Sequence, residues 1–91
     1  MNSRDLFEIT RGKANTELSW HKRYDNGTSL WEYKIYKRNS KTPIAFMQIG
    51  EYDNTGNIIG LSITYANDIQ NPIDCETLTH FKVALDNILK K

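Results

Sequence analysis

Residues 17–38, ELSWHKRYDNGTSLWEYKIYKR, decide the fold. Two runs of alternating side chains flank an Asn-Gly dipeptide. In 17–24, Leu18, Trp20, Lys22 and Tyr24 share one face, and Ser19, His21 and Arg23 share the other. In 29–37, Trp31, Tyr33 and Ile35 fall together. A period of two is the signature of a strand. Asn26-Gly27 is a strong hairpin signal, because a type I′ turn needs positive φ at both central residues. A two-residue turn there predicts Trp20 opposite Tyr33, Leu18 opposite Ile35 and Lys22 opposite Trp31. The large apolar groups then form a core face. The outer face carries Ser19–Lys34, His21–Glu32 and Arg23–Leu30.

A second hairpin is predicted from PIAFMQIGEY (43–52) and NIIGLSITYA (57–66), joined by DNTG (53–56). Pairing across that turn sets Gln48 against Leu61, Phe46 against Ile63 and Ile44 against Tyr65. One face then holds Ile44, Phe46, Ile59, Leu61 and Ile63. The reverse face holds Met47, Ile49 and Ile58 among small residues. Helical spacing of Leu78, Phe81, Leu85 and Ile88/Leu89 predicts a helix over roughly 75–89, with Asp74 as N-cap and an Ile73–Leu78 staple. Lys90 and Lys91 suit the negative end of its dipole. The segment DLFEITR reads as an edge strand with Phe7 and Ile9 inward, or as a short helix begun by Ser3; the strand is the expectation. The fold class is α+β: a four- or five-stranded antiparallel β-meander with one C-terminal helix packed on one face. Residues 1–91 form a single small domain.

Composition narrows the functional classes. Hydrophobic residues make up 38% and charged residues 25%, as in a globular chain rather than a disordered one. The net charge of +1 argues against a strongly basic nucleic-acid binder and against an acidic DNA mimic. The charge is nevertheless split. Residues 11–41 hold eight basic groups against three acids, whereas 42–76 hold five acids and no Lys or Arg. No apolar run is long enough to cross a bilayer, so no membrane role is expected. The start, MNSRDLFEIT, lacks a secretory pattern, and the single cysteine, Cys75, has no internal partner. Both point to a reducing cytoplasm. Ten isoleucines, nine asparagines and eight lysines fit an AT-rich genome, which suits an accessory protein of a phage or mobile element.

Catalytic and metal chemistry find little support. His21, His80 and Cys75 lack zinc spacing, so neither metal nor cofactor is expected. Cys75 near a helix start is the only nucleophile candidate, and His80, five residues on, is off helical i, i+4 geometry. Asp25, Glu51 and Asp53 sit at turns, where so small a chain builds no cleft for a carboxylate pair. Binding remains, and the chain is expected not to be an enzyme. The leading expectation is protein–protein contact, as adaptor or inhibitor, through Met47, Ile49 and Ile58. One C-terminal helix covers one sheet face only, so their face is left for a homodimer or a target protein. The alternative is single-stranded nucleic acid on the outer hairpin face, with Arg23, Lys34 and Arg38 for phosphates and His21 and Tyr36 for stacking. The strand order followed by a helix resembles the positive-cofactor-four family of single-stranded-DNA-binding proteins, in topology alone. That resemblance carries over no binding residue.

Overall fold

The computed structural model describes residues 1–52 and 57–90. The predicted DNTG turn, Asp53 and Lys91 therefore lie outside the described residues. The chain runs as helix α1 (Ser3–Arg11), strands β1 (Asn15–Arg23), β2 (Thr28–Tyr36), β3 (Ala45–Tyr52), β4 (Ile58–Tyr65) and β5 (Ile73–Asp74), then helix α2 (Leu78–Leu89). The strands form one antiparallel sheet in sequence order, β1-β2-β3-β4-β5. The α+β meander with a C-terminal helix is thus present, and its fifth strand is β5 rather than the N-terminal segment.

That N-terminal segment is a helix, not the expected edge strand. Asn2 caps it, its side chain accepting the Arg4 N–H at 2.7 Å. Leu6 and Thr10, four apart, form its buried stripe. The Thr10 hydroxyl donates to the Leu6 carbonyl at 2.8 Å, so its burial leaves no polar atom unsatisfied. The Phe7–Ile9 alternation was too short to define a strand, while the cap and the i, i+4 pair span the whole helix. Helix α2 also begins later than predicted. Thr77, not Asp74, is the N-cap, accepting the His80 N–H at 3.0 Å, and Asp74 lies in β5. The predicted apolar stripe holds: Phe81, Leu85 and Ile88 are fully buried, and Leu78 and Leu89 pack at its margin.

The first hairpin shows why the predicted register fails. The Tyr24 N–H donates to the Thr28 carbonyl at 2.8 Å and the Gly27 N–H to the Tyr24 carbonyl at 3.2 Å. Gly27 has φ +84°, whereas Asn26 does not have positive φ. This is a three-residue loop, a type I turn closed by a left-handed glycine, in place of the two-residue type I′ turn. The pairs become Arg23–Ser29, Lys22–Leu30, His21–Trp31 and Trp20–Glu32. One residue of slip moves a whole strand to the other face. Trp20 and Tyr33 are consequently on opposite faces, not a cross-strand core pair. A bulge between Leu18 and Trp20 then shifts the pairing once more, setting Leu18 opposite Tyr33 and Glu17 opposite Lys34.

The second hairpin slips in the same way. Glu51 pairs with Ile58 but Gly50 pairs with Gly60, so Ile59 is the extra residue of a bulge. Beyond it Ile49 faces Leu61 and Met47 faces Ile63. The helix-covered face is therefore Ala45, Met47, Ile49, Ile58, Leu61 and Ile63, all buried. Met47, Ile49 and Ile58, predicted as an intermolecular surface, are instead at 0%, 2% and 9% exposure in the core. The expectation of a single helix caused the error: α1 and α2 together cover this face, with Leu6 and Phe81 buried among the strands.

Both helices run in the same direction. Their N-termini share a shallow hollow lined by Asn2, Asp5, Glu76 and Thr77. Towards the other end Lys13, just past α1, bonds Asp86 of α2. Arg38 donates to the carbonyl of Arg11 at 2.7 Å, at the C-terminal end of α1. In α1, Asp5 lies in the first turn and Arg11 in the last, as its dipole favours.

Candidate binding face of the sheet

With both helices on one side, no element among the described residues covers the other side of the sheet. The pairings define its rows across the strands. One row is Trp20, Glu32, Gln48, Ser62 and Asp74. Its neighbour towards the first turn is Lys22, Leu30, Gly50 and Gly60. On the other side lie Glu17, Lys34, Phe46 and Thr64.

The middle of this face is polar and internally satisfied. Gln48 donates to Glu32 Oε1 at 3.0 Å and accepts from Ser62 at 2.8 Å and Thr64 at 3.1 Å. Such a ladder fixes the Gln48 amide and removes the need to bury these groups elsewhere. Beside it the surface turns apolar. Trp20 is 42% exposed, Tyr52 51% and Ile59 51%. Leu30 stands half-buried between them.

Gly50 and Gly60 leave a gap in that apolar strip. They pair directly, and with Leu30 they line a hollow of about 350 Å³ that also touches Gln48, Ile59, Ser62 and Asp74. Neither glycine is there for its backbone, since Gly27 is the glycine with positive φ among the described residues. A Cβ on Gly60 would meet nothing within 4 Å, and one on Gly50 would make ordinary contact with the Ile59 side chain at 3.7 Å. Glycine inside a strand costs roughly 0.5–1 kcal/mol relative to alanine. Strand glycines mark bulges and places where another group approaches closely; this pair flanks the Ile59 bulge and also floors the hollow. Alternation patterns carry no signal for this hollow. The two lone glycines inside predicted strands were the available clue.

The residues proposed for nucleic acid do not meet on one surface. Lys34 and Tyr36 lie on the bare face, where Lys34 approaches Glu17 at 3.7 Å and the Tyr36 hydroxyl donates to Glu17 at 3.2 Å. Burial, then the Glu17 hydrogen bond, holds the Tyr36 hydroxyl above its usual pKa. His21 and Arg23 point to the helix side, where His21 stacks on Trp31 with ring centroids 3.7 Å apart. Arg38 is engaged at the end of α1.

Cys75 is buried at 5% exposure, its thiol 3.6 Å from the Ile73 carbonyl. Burial, aided by the Asp74 charge, pushes the thiol pKa up, which is the wrong direction for a nucleophile. Among the described residues no group of three or more His, Cys, Asp or Glu side chains is placed to hold a metal ion. No helix among them is long and apolar enough to cross a membrane. No protein-family model matches the chain, and no curated protein or solved structure matches it either.

Proposed function

We propose that the protein is a non-enzymatic binding module that acts by protein–protein contact in the cytoplasm, as an adaptor or inhibitor. Its contact surface is the bare sheet face, not the Met47 face. The observation that carries this reading is the Gly50–Gly60 row, a hollow lined by the apolar side chains of Leu30, Ile59 and Leu61, on the face that also exposes Trp20. Contiguous apolar surface of this kind on a small chain is a recognition feature. Aromatic anchors beside a pocket are the usual energetic centre of a protein interface.

Nucleic acid is the weaker reading. The aromatic-bearing face also carries Glu17, Glu32 and Asp74, which repel phosphates, and the basic candidates are divided between two faces. The test is capture of binding partners by the purified protein, with nuclease present, comparing wild type with Trp20→Ala, Gly60→Val and Val83→Lys. Val83 is 53% exposed on α2, on the far side of the molecule. Capture should be lost in the first two variants and kept in the third. Loss only in Val83→Lys would move the interface to the helices. Loss on nuclease treatment alone would replace a protein partner with nucleic acid.

A further inference from the structure

We infer that the hollow takes a basic side chain, lysine or arginine, from an extended segment of the partner protein. This rests on the protein-binding reading above and names the chemistry of its occupant.

The hollow over Gly50 and Gly60 continues around the short strand β5 into a second one of about 410 Å³. The two share Ile59, Gly60, Leu61 and Asp74, and the second also takes in Met1, Ile58, Cys75 and Glu76. β5 pairs with Ser62 and Ile63 of β4, the Cys75 N–H donates to the Leu61 carbonyl at 2.9 Å and the Ile58 N–H donates to the Met1 carbonyl at 2.8 Å, so the passage crosses this edge of β4 at Ile59 and Gly60. The floor and walls are apolar or side-chain-free: Leu30, Ile59, Leu61 and the two glycines. Two exposed carboxylates stand along it: Asp74 lines both hollows, and Glu76 lines the second, which Met1 also lines. Among the described residues no Lys or Arg lines either hollow.

An apolar trough flanked by carboxylates matches a side chain with an aliphatic stem and a cationic head. Lysine and arginine bury the stem against apolar surface and keep the head in water or on a carboxylate. A carboxylate-bearing side chain would meet Asp74 as a like charge, and a purely aliphatic one would leave the carboxylates unused. The missing Cβ atoms at Gly50 and Gly60 let the stem lie close to the backbone.

The probes are three capped pentapeptides, Gly-Gly-X-Gly-Gly with X as arginine, leucine or glutamate, titrated to millimolar concentration while the amide resonances of Gly50 and Gly60 are followed. The arginine peptide should shift both amides, more weakly at high salt because the carboxylates are exposed. Asp74→Asn should weaken it roughly twofold, as for loss of an exposed ion pair, and leave the leucine peptide unchanged. Gly60→Val should fill the hollow and abolish the shifts. Equal or tighter binding of the leucine or glutamate peptide would overturn the assignment to a basic side chain while leaving the protein-binding face in place. Absence of any shift at Gly50 and Gly60 would overturn it as well, and the fate of the binding reading would then rest on capture by Trp20→Ala. A single-stranded oligonucleotide that shifts these amides when the arginine peptide does not would remove both.

Discussion

The orientation of the sheet turns on which of Met47 and Trp20 is core, and their truncation to alanine separates the two registers. Met47 is 0% exposed, opposite Tyr33 and Ile63 and covered by the helices. Met47→Ala removes its buried methylene and thioether groups and leaves a cavity, which costs about 3 kcal/mol within the usual 2–5 range. Trp20 is 42% exposed on the bare face, and its removal opens no enclosed cavity. Trp20→Ala should therefore cost at most about 1 kcal/mol. At ~2.1 cal/mol/K per residue the unfolding entropy of this chain is ~0.19 kcal/mol/K. Met47→Ala should then lower Tm by about 15 °C, and Trp20→Ala by no more than about 5 °C. Thermal unfolding followed by circular dichroism reads both. The opposite ranking is what a two-residue type I′ turn requires, because that register makes Trp20 a core partner of Tyr33. If Trp20→Ala melts lower than Met47→Ala, the register and the bare face are both wrong.

Other perturbations test the remaining elements. Thr77→Ala removes the cap bond to His80 and should cost about 1 kcal/mol, or ~5 °C in Tm, whereas Asp74→Ala should leave helix α2 intact. Asp86 has its pKa held low, first by the hydrogen bond from Lys13 and then by the surrounding lysine charges. A depressed carboxyl contributes stability above its unfolded pKa and loses it as pH falls through the folded one. Acid titration of Asp86→Asn, followed by intrinsic fluorescence, should thus show a shallower loss of stability than wild type below about pH 3.9. Native Cys75 should react slowly with iodoacetamide at neutral pH and rapidly in denaturant, since its thiol is buried and its pKa raised.

The sequence made the strands, the first turn and the α2 stripe legible because each depends on local periodicity or turn chemistry. The faces were not legible, for two physical reasons. Asn-Gly serves a two-residue loop and a three-residue loop equally well, since both need left-handed backbone at Gly27, and only the first needs it at Asn26. The bulges at Ser19 and Ile59 each break alternation by one residue. Ile58 and Leu61, three apart yet both buried, were a visible trace of the second bulge. Helix α1 was missed because Phe7 and Ile9 alternate while the Leu6–Thr10 pair includes a threonine, whose burial depends on its bond to the Leu6 carbonyl. A missed helix then left the wrong sheet face uncovered. Of the candidate site residues that the sequence offers, Lys34 and Tyr36 lie on the binding face. The hollow depends on a pairing of Gly50 with Gly60 that the predicted register did not contain.

Hydroxyl-radical footprinting, with the protein alone and with its captured partner, tests the binding face most directly. In the free protein Trp20, Tyr52 and Ile59 should be labelled and Met47 should not, although methionine sulfur is the readier target where exposed. On partner binding the label at Trp20 and Ile59 should fall while that at Val83 stays constant. Labelling of Met47 in the free protein, or protection of Val83 with Trp20 unchanged, would contradict the account.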